Sequence, residues 1–334
     1  MDFDTTSVWA GIIFFAVFMY VVLDGFDLGI GMLYPFVKDR RERDIMMNTV
    51  APVWDGNETW LVLGGEGLLL AFPVAYSIIL SGLYLPLIFM LIGLIFRGVA
   101  FEFRFKADDR ERPVWDLAFI GGSVTAAFFQ GVSLGTFLSG IPVSGRSYAG
   151  GALDWLAPFP LAAGAGVMIA YTLLGATWLI MRLEGELQQR MIRLARPFTF
   201  LLLGAIGAVS VWTPLAYRQV AERWFSFPNM LLLSPVPLLV ACCAFLLLRA
   251  LKREPFRTPF FAALGLVLLC YAGMAISIWP HIVPPTITIW EAAAPPSSQR
   301  FTLVGALLVI PLILGYTGWS YHVFRGKVGG EGYH

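Results

Sequence analysis

Apolar runs of about twenty residues, separated by short polar or proline-bearing connections, dominate the chain. A hydrocarbon core of about 30 Å takes roughly 20 helical residues to cross. On that measure nine spans are predicted, at 8–34, 52–72, 76–101, 116–140, 158–181, 198–217, 229–249, 259–279 and 301–323. Helices are expected because a spanning segment must satisfy its own backbone in lipid, and these runs are too long for barrel strands. Pro35, Pro52, Pro73, Pro113, Pro158, Pro197, Pro228 and Pro259 fall at or near predicted span ends, where a residue without an N–H suits a first turn or stops a helix. The connections at 141–157 and 280–300 read as ordinary surface loops, and no repeat or low-complexity tract is visible. The predicted fold class is therefore an all-α integral membrane protein, with residues 1–334 as one polytopic domain.

Composition strengthens this picture. The 334 residues are 58% hydrophobic and 13% charged, where soluble proteins are about 45–50% apolar and about 25% charged. A net charge of +1 gives no sign of a nucleic-acid partner. The stretch "MDFDTTSVWAG" has no Lys or Arg before the first apolar run, so a cleaved signal peptide is not expected. Cys242, Cys243 and Cys270 lie in apolar runs and are expected to be packing residues.

Charge also orients the chain. Alternate connections and the tail carry eighteen of the Lys and Arg residues, from Lys38 to Lys327, while Arg146, Arg218, Arg223 and Arg300 are the four on the other side. The positive-inside rule then predicts an outer N-terminus and a cytoplasmic C-terminus. Trp9, Trp115, Trp155, Trp224, Trp279 and Trp319 fall near span ends, as an interfacial belt would place them.

The candidate chemistry is a set of charges inside the first three spans. Asp24 and Asp27 in "VVLDGFDLGIGML" are three residues apart and share a helix face, about 16 and 12 Å from the end near Pro35. In "APVWDGNETW", Asp55 and Glu58 have the same spacing, with Asn57 beside them, and Glu66 is placed near mid-membrane. "FRGVAFEFR" returns Arg97 and Glu102 to the same end. A charged side chain at the bilayer centre costs about 2.5–3.5 kcal/mol on insertion scales, so these groups are expected to face the bundle interior or a watered path. A structural ion-pair cluster around Arg97 is one reading. The excess of acid over cation favours the other, in which surplus carboxylates are protonated or hydrated as a proton route requires. Gly25, Gly29 and Gly31, with Gly64, Gly65 and Gly67, mark faces for close helix approach. His281, His322 and His334 all lie outside mid-span, so no axial haem ligand is expected from histidine, and no metal site is predicted in this chain.

The blocks "LDGFDLGIGML" at 23–33, "APVWDGNETW" at 51–60 and "FRGVAFEFR" at 96–104 resemble subunit II of the cytochrome bd-type ubiquinol oxidase family. "TITIWEAA" at 286–293 and "YTGW" at 316–319 support the resemblance, which runs the length of the chain and admits the cyanide-insensitive branch. It implies nine transmembrane helices, as two four-helix bundles plus one peripheral helix, in a bacterial inner membrane. The implied partner is a homologously folded subunit I holding two b-type haems, one d-type haem and the quinol-oxidising loop. A small accessory subunit, lipid and quinone are further implied partners. The implied reaction is quinol-driven reduction of O2 to water. By the same resemblance Asp55 matches a proton-uptake position, with Asp24, Glu58 and Asp27 as further path candidates and Arg97 as counter-ion. Trp60 matches a residue on an O2 path in some members, with packing an equal alternative, and Trp54 is expected to orient Asp55. Glu66 departs from the family pattern, where a small residue is expected. A proton-coupled secondary transporter and a purely structural partner subunit stand as alternatives. The first would need an inverted repeat and a mid-depth pocket, and no repeat is visible.

Overall fold

The computed structural model describes residues 4–253 and 256–328. The helices are α1 (Thr5–Leu33), α2 (Arg40–Asn48), α3 (Trp54–Ala71), α4 (Pro73–Arg104), α5 (Arg112–Ser139), α6 (Pro158–Arg182), α7 (Gly185–Ala216), α8 (Arg218–Phe225), α9 (Asn229–Leu233), α10 (Pro235–Arg253), α11 (Thr258–Ile278), α12 (Ile289–Ala292) and α13 (Pro296–Val323). Eight spans among the described residues are long and apolar enough to cross a membrane. The remaining long helix, α3, carries three acids, Asp55, Glu58 and Glu66, in its 18 residues.

Neighbouring helices close two rings. α1, α3, α4 and α5 pack in sequence, with α5 returning to α1; α6, α7, α10 and α11 do the same, with α11 returning to α6. α6 also lies along α1 and α5 and joins the rings, while α13 leans on α3 and α1. Lipid supplies no hydrophobic drive between helices, so close approach over small residues has to hold them. Gly29 of α1 meets Gly175 of α6 so closely that a Cβ on Gly29 would stand 1.9 Å from the Tyr171 carbonyl oxygen. Gly93 of α4 and Gly122 of α5 make a similar crossing, with a Cβ on Gly93 only 2.6 Å from the Ala126 nitrogen. Gly64 and Gly67 of α3 rest on Val17 and Ile13 of α1, whereas Gly65 faces outward with nothing near it.

Several expectations are corrected. The span predicted at 198–217 is the C-terminal part of a longer helix, because α7 starts at Gly185 and continues through Pro197. The turn from α6 is only Leu183–Glu184, and Gly185 makes it with φ +67°. The Gln188 amide then donates to the carbonyls of Ile180 at 2.7 Å and Leu183 at 2.8 Å, satisfying the end of α6. The connection at 280–300 is no ordinary loop. His281–Val283 pairs antiparallel with Ile287–Thr288, Thr288 and Glu291 form a capping box, and Val283, Ile289 and Ala292 are buried. Buried Gln299 accepts from the hydroxyls of Thr5 and Thr6 and donates to the Ala71 carbonyl, tying three helix ends together. The shorter hairpin pairs Val143–Ser144 with Ser147–Tyr148. Trp9 and Trp155 are buried in protein rather than in a lipid belt, Trp9 donating to the Gln299 carbonyl at 3.0 Å. Cys242 and Cys270 face outward, and Cys243 is the one that packs, against Gly265.

Gly29→Ala is expected to destabilise the solubilised protein by about 1–3 kcal/mol, as overpacking does, because its methyl collides with backbone. Gly11→Ala, where nothing lies within 4 Å, is expected to leave the thermal melting temperature unchanged. Equal melting of the two variants would contradict the packing described.

Candidate functional site

From Asp24 to Leu33 every residue of α1 is buried, so both aspartates sit inside the protein at the arginine-rich end of the bundle. α3 starts beside them and α4 ends beside them, and Arg97 on α4 fills the space between. Arg97 is fully buried; its Nη1 donates to Asp24 Oδ1 at 2.6 Å and its Nη2 to Glu58 Oε1. Asp27 takes a different partner. Asn57 Nδ2 donates to Asp27 Oδ2 at 2.8 Å and to the Leu23 carbonyl, and the Tyr321 hydroxyl of α13 donates to Asn57 Oδ1 at 2.9 Å. The cluster thus joins α1, α3, α4 and α13. Asp24 Oδ2, Asp27 Oδ1, Arg97 Nε, the Tyr20 hydroxyl and Trp60 Nε1 are buried polar atoms with no partner among protein groups. A small crevice lined by Pro52, Val53, Gly56, Asn57, Tyr316 and Tyr321 reaches the Asn57 end of the cluster.

The sequence-predicted residues divide by depth. Asp24, Asp27, Glu58 and Arg97 come together, while Asp55 and Glu66 are exposed, Asp55 being turned about 60° around α3 from Glu58. Asp55 and Glu58 therefore do not share one environment, although they lie three residues apart. Glu102 is also outside the cluster, exposed and 3.8 Å from Lys106. Trp54 stacks on Phe101 with ring centroids 5.0 Å apart, and the Arg97 guanidinium lies 5.9 Å from its ring centre. Trp54 thereby lies over the buried cation. Trp60 is fully buried, edge-on to Phe15 at 5.6 Å. Sequence reasoning missed the Tyr321–Asn57 bond, since nothing in local spacing pairs residues 264 positions apart.

A second ion network lies nearer the surface of the same end. Asp116 accepts from Arg104 at 2.5 Å and Arg43 at 2.7 Å, and Asp44 accepts from Arg104 at 2.5 Å with Arg112 3.8 Å away. Arg190 joins α7 to Glu42 of α2 at 2.5 Å. Arg43 and Arg104 entered the sequence reading only as orientation charges, yet they bind α2, α4 and α5 together.

Among the described residues no group of three His, Cys, Asp or Glu side chains could hold a metal ion. His281 lies in the strand after α11, His322 is exposed in the last turn of α13 beside Arg325, and His334 lies outside the described residues. The described histidines offer no axial pair within the spans, so the donor set does not fit a bis-histidine haem.

Comparison with known proteins covers most of the chain. The sequence profile of the family "Cytochrome bd terminal oxidase subunit II" matches residues 5–324. "Cytochrome bd-I ubiquinol oxidase subunit 2" of Escherichia coli (strain K12) is 30% identical over 346 residues, covering 92% of this chain and 91% of the relative. "Cytochrome bd ubiquinol oxidase subunit 2" of Bacillus subtilis (strain 168) is 30% identical over 322 residues, covering 92% of each. In fold, the chain matches a chain from the structure of bd oxidase from Geobacillus thermodenitrificans, with a TM-score of 0.78 at 16% identity, covering 96% of this chain and 99% of the other.

Removing Arg97 is expected to be more damaging than removing its partner. Arg97→Met strands Asp24 and Glu58 and should cost about 3–5 kcal/mol, as breaking a buried pair does. Adding Asp24→Asn to Arg97→Met should recover part of that loss. Thermal melting of the solubilised variants checks this, and a double variant no more stable than Arg97→Met alone would contradict it.

Proposed function

The chain belongs to the family of subunit II of the cytochrome bd terminal oxidases, and from that premise we propose that it partners a haem-bearing subunit I and conducts protons to it from the cytoplasm. It is a subunit of a terminal oxidase complex and a multi-pass inner-membrane protein. Family membership sets aside the secondary-transporter reading. The two rings of helices support an arrangement of nine crossings, as two four-helix bundles with α13 peripheral and α3 as the ninth crossing. The Lys and Arg asymmetry supports an outer N-terminus and a cytoplasmic arginine-rich end. The reaction served is oxidation of a quinol, ubiquinol by analogy with the relatives, coupled to reduction of O2 to water. Two b-type haems and one d-type haem belong to subunit I in this proposal, and lipid, quinone and a small accessory subunit are further partners.

The observation that carries the proton role is the excess of carboxylate over cation in the buried cluster. One guanidinium stands among Asp24, Asp27 and Glu58, and Asp24 Oδ2, Asp27 Oδ1 and Arg97 Nε make no hydrogen bond with another protein group, which is where ordered water is expected. Water joining those atoms makes a chain along which protons move by exchange of hydrogen bonds. Asp55, exposed at the start of α3, collects protons. Glu58, next on the helix and part-exposed, faces Arg97 and Asp24. Asp27, Asn57 and Tyr321 form a second arm opening toward the α13 crevice. Arg97 holds the carboxylates in place as counter-ion, with Trp54 over its guanidinium. Trp60 serves as packing or on an O2 path. A purely structural subunit remains the second reading, favoured by the two ion pairs of Arg97.

The test is purification of the tagged chain from its native membrane, with a reduced-minus-oxidised spectrum and identification of co-purifying polypeptides. A d-type haem signal with a second polytopic protein is expected, and a colourless solitary chain would refute the proposal. In that preparation Asp55→Asn should slow O2 consumption by roughly tenfold or more, as loss of a proton-transfer group does, with haem content unchanged. Loss of haem in the variant would favour the structural reading instead.

A further inference from the structure

At the end of the bundle opposite the arginine-rich cluster, the chain leaves a cavity of about 220 Å³. α5 runs to it from Asp116, which is bonded to Arg104 at the other end, and stops at Ser139; α6 starts beside it after Ala157. Gly140, at φ +95°, turns the chain out of α5, and the hairpin that follows brings Tyr148 to the cavity wall. Gly82 of α4, Ile141 and Pro160 line the apolar side, and Ser139, Tyr148 and Asp154 supply the polar groups.

Asp154 is held in place but not neutralised. Its Oδ2 accepts from the Gly151 N–H at 2.9 Å and from the Tyr148 hydroxyl at 3.0 Å. Among the described residues no hydrogen bond reaches its Oδ1, and no cation lies within ion-pair distance of the carboxylate. Pro158 and Pro160 deprive the first turn of α6 of two N–H groups, so the cavity favours a cation over an anion. Arg146, in the hairpin turn two residues before Tyr148, is exposed and has no ion pair or hydrogen bond among the described residues. One loop thus carries an acid and a base that are not paired with each other. Apolar side chains accompany them. Leu153 and Leu156 flank Asp154 and are exposed, while Trp155 between them is buried near Phe129 and donates to the Ala152 carbonyl at 3.1 Å, which fixes the turn.

We propose that this cavity binds the ethanolamine headgroup of a phospholipid, its ammonium donating to Asp154 and its phosphate facing Arg146. Three features select that occupant. An unneutralised carboxylate calls for a charged donor, which a choline headgroup lacks because it has no N–H, and which a glycerol headgroup lacks because its only charge is negative. The volume falls below the roughly 300–1,000 Å³ of drug-sized sites, so it suits a headgroup and leaves acyl chains outside. Leu153 and Leu156 give those chains an apolar surface to cover, as side chains at a membrane interface do, whereas a water-soluble amine would leave it bare. The inference rests on the lipid partnership proposed above and not on the proton route.

The experiment measures the phospholipid that stays with the tagged chain and its co-purifying polypeptides. The complex is purified in mild detergent, stripped by washing and incubated with equal amounts of phosphatidylethanolamine, phosphatidylcholine and phosphatidylglycerol in mixed micelles. The lipid bound after re-isolation is identified by mass spectrometry. Phosphatidylethanolamine is expected to exceed each of the others by about tenfold, and Asp154→Asn and Arg146→Gln should each lower its retention by about tenfold, as loss of a hydrogen bond to a charged group does. If Asp154→Asn fails to fold, Ala157→Leu supplies the measurement, because it narrows the cavity and leaves the carboxylate and its bonds in place; it should abolish the preference as well. Equal retention of the three lipids, or a preference unchanged in these variants, would overturn the site. Displacement of the lipid by free ethanolamine at the same concentration would overturn the lipid as its source. If no lipid is retained at all, the lipid partnership fails too; if lipid is retained without preference, only this inference fails.

Discussion

The rotation of α3 about its own axis is set by one guanidinium. Arg97 is fully buried on α4 and bonds Asp24 of α1 and Glu58 of α3, so three helices are pinned at one point. An arginine taken out of water is tolerated only with good geometry and opposing charge, and its planar fork suits two carboxylates at once. Once Glu58 points at Arg97, helical geometry decides the rest of α3. Asn57 is brought to Asp27, Trp60 turns inward, and Gly64 and Gly67 come to lie on α1. The same rotation sends Asp55 and Glu66 outward.

That division explains why α3 fails the apolar standard that eight other spans pass. Its acids are not spread over the helix; Glu58 is neutralised on one side, while Asp55 and Glu66 share another. A helix with this pattern is stable in the membrane through its neighbours. On the inner side small residues permit contact with α1, which is how helices associate where lipid provides no hydrophobic drive. On the outer side an uncovered acid would carry a cost of about 2.5–3.5 kcal/mol on insertion scales. The fold of this chain is thus closed toward α1 and open along α3.

Much of this was legible in the sequence because membrane spanning demands long apolar runs, and polar residues inside them stand out. The DGFD and WDGNE blocks located the Asp24, Asp27 and Glu58 sites, and the "FRG" stretch located their counter-ion Arg97. Facing was less legible. Residues three apart on a helix are separated by about 60° beyond true alignment, which is enough to bury Glu58 against Arg97 and leave Asp55 exposed. Pro197 suggested a helix start, but a proline is tolerated within a long membrane helix, and the real punctuation was Gly185 with its positive φ. Gln299 and Tyr321 carried no local signal at all, because their partners at Thr5 and Asn57 come from the opposite end of the sequence.

The two charge clusters at the arginine-rich end differ in a way that supports the proposed proton role for the inner one. In the outer network, Asp116 is held by Arg43 and Arg104, and Asp44 by Arg104 with Arg112 nearby. Both oxygens of Asp116 are bonded and cations outnumber carboxylates, as a network that only fastens helices requires. The inner network has the opposite balance. It is better shielded from solvent, so the cost of each unpaired polar atom is higher, and Asp24 Oδ2, Asp27 Oδ1 and Arg97 Nε have no partner among protein groups. α4 takes part in both networks, Arg104 lying only seven residues along it from Arg97. The inner cluster therefore depends on water for its remaining hydrogen bonds, whereas the carboxylate of Asp116 is bonded by protein alone. Carboxylates in excess of cations and joined by water are what the proposed proton route needs, whereas a network that only fastens helices is best closed by protein groups.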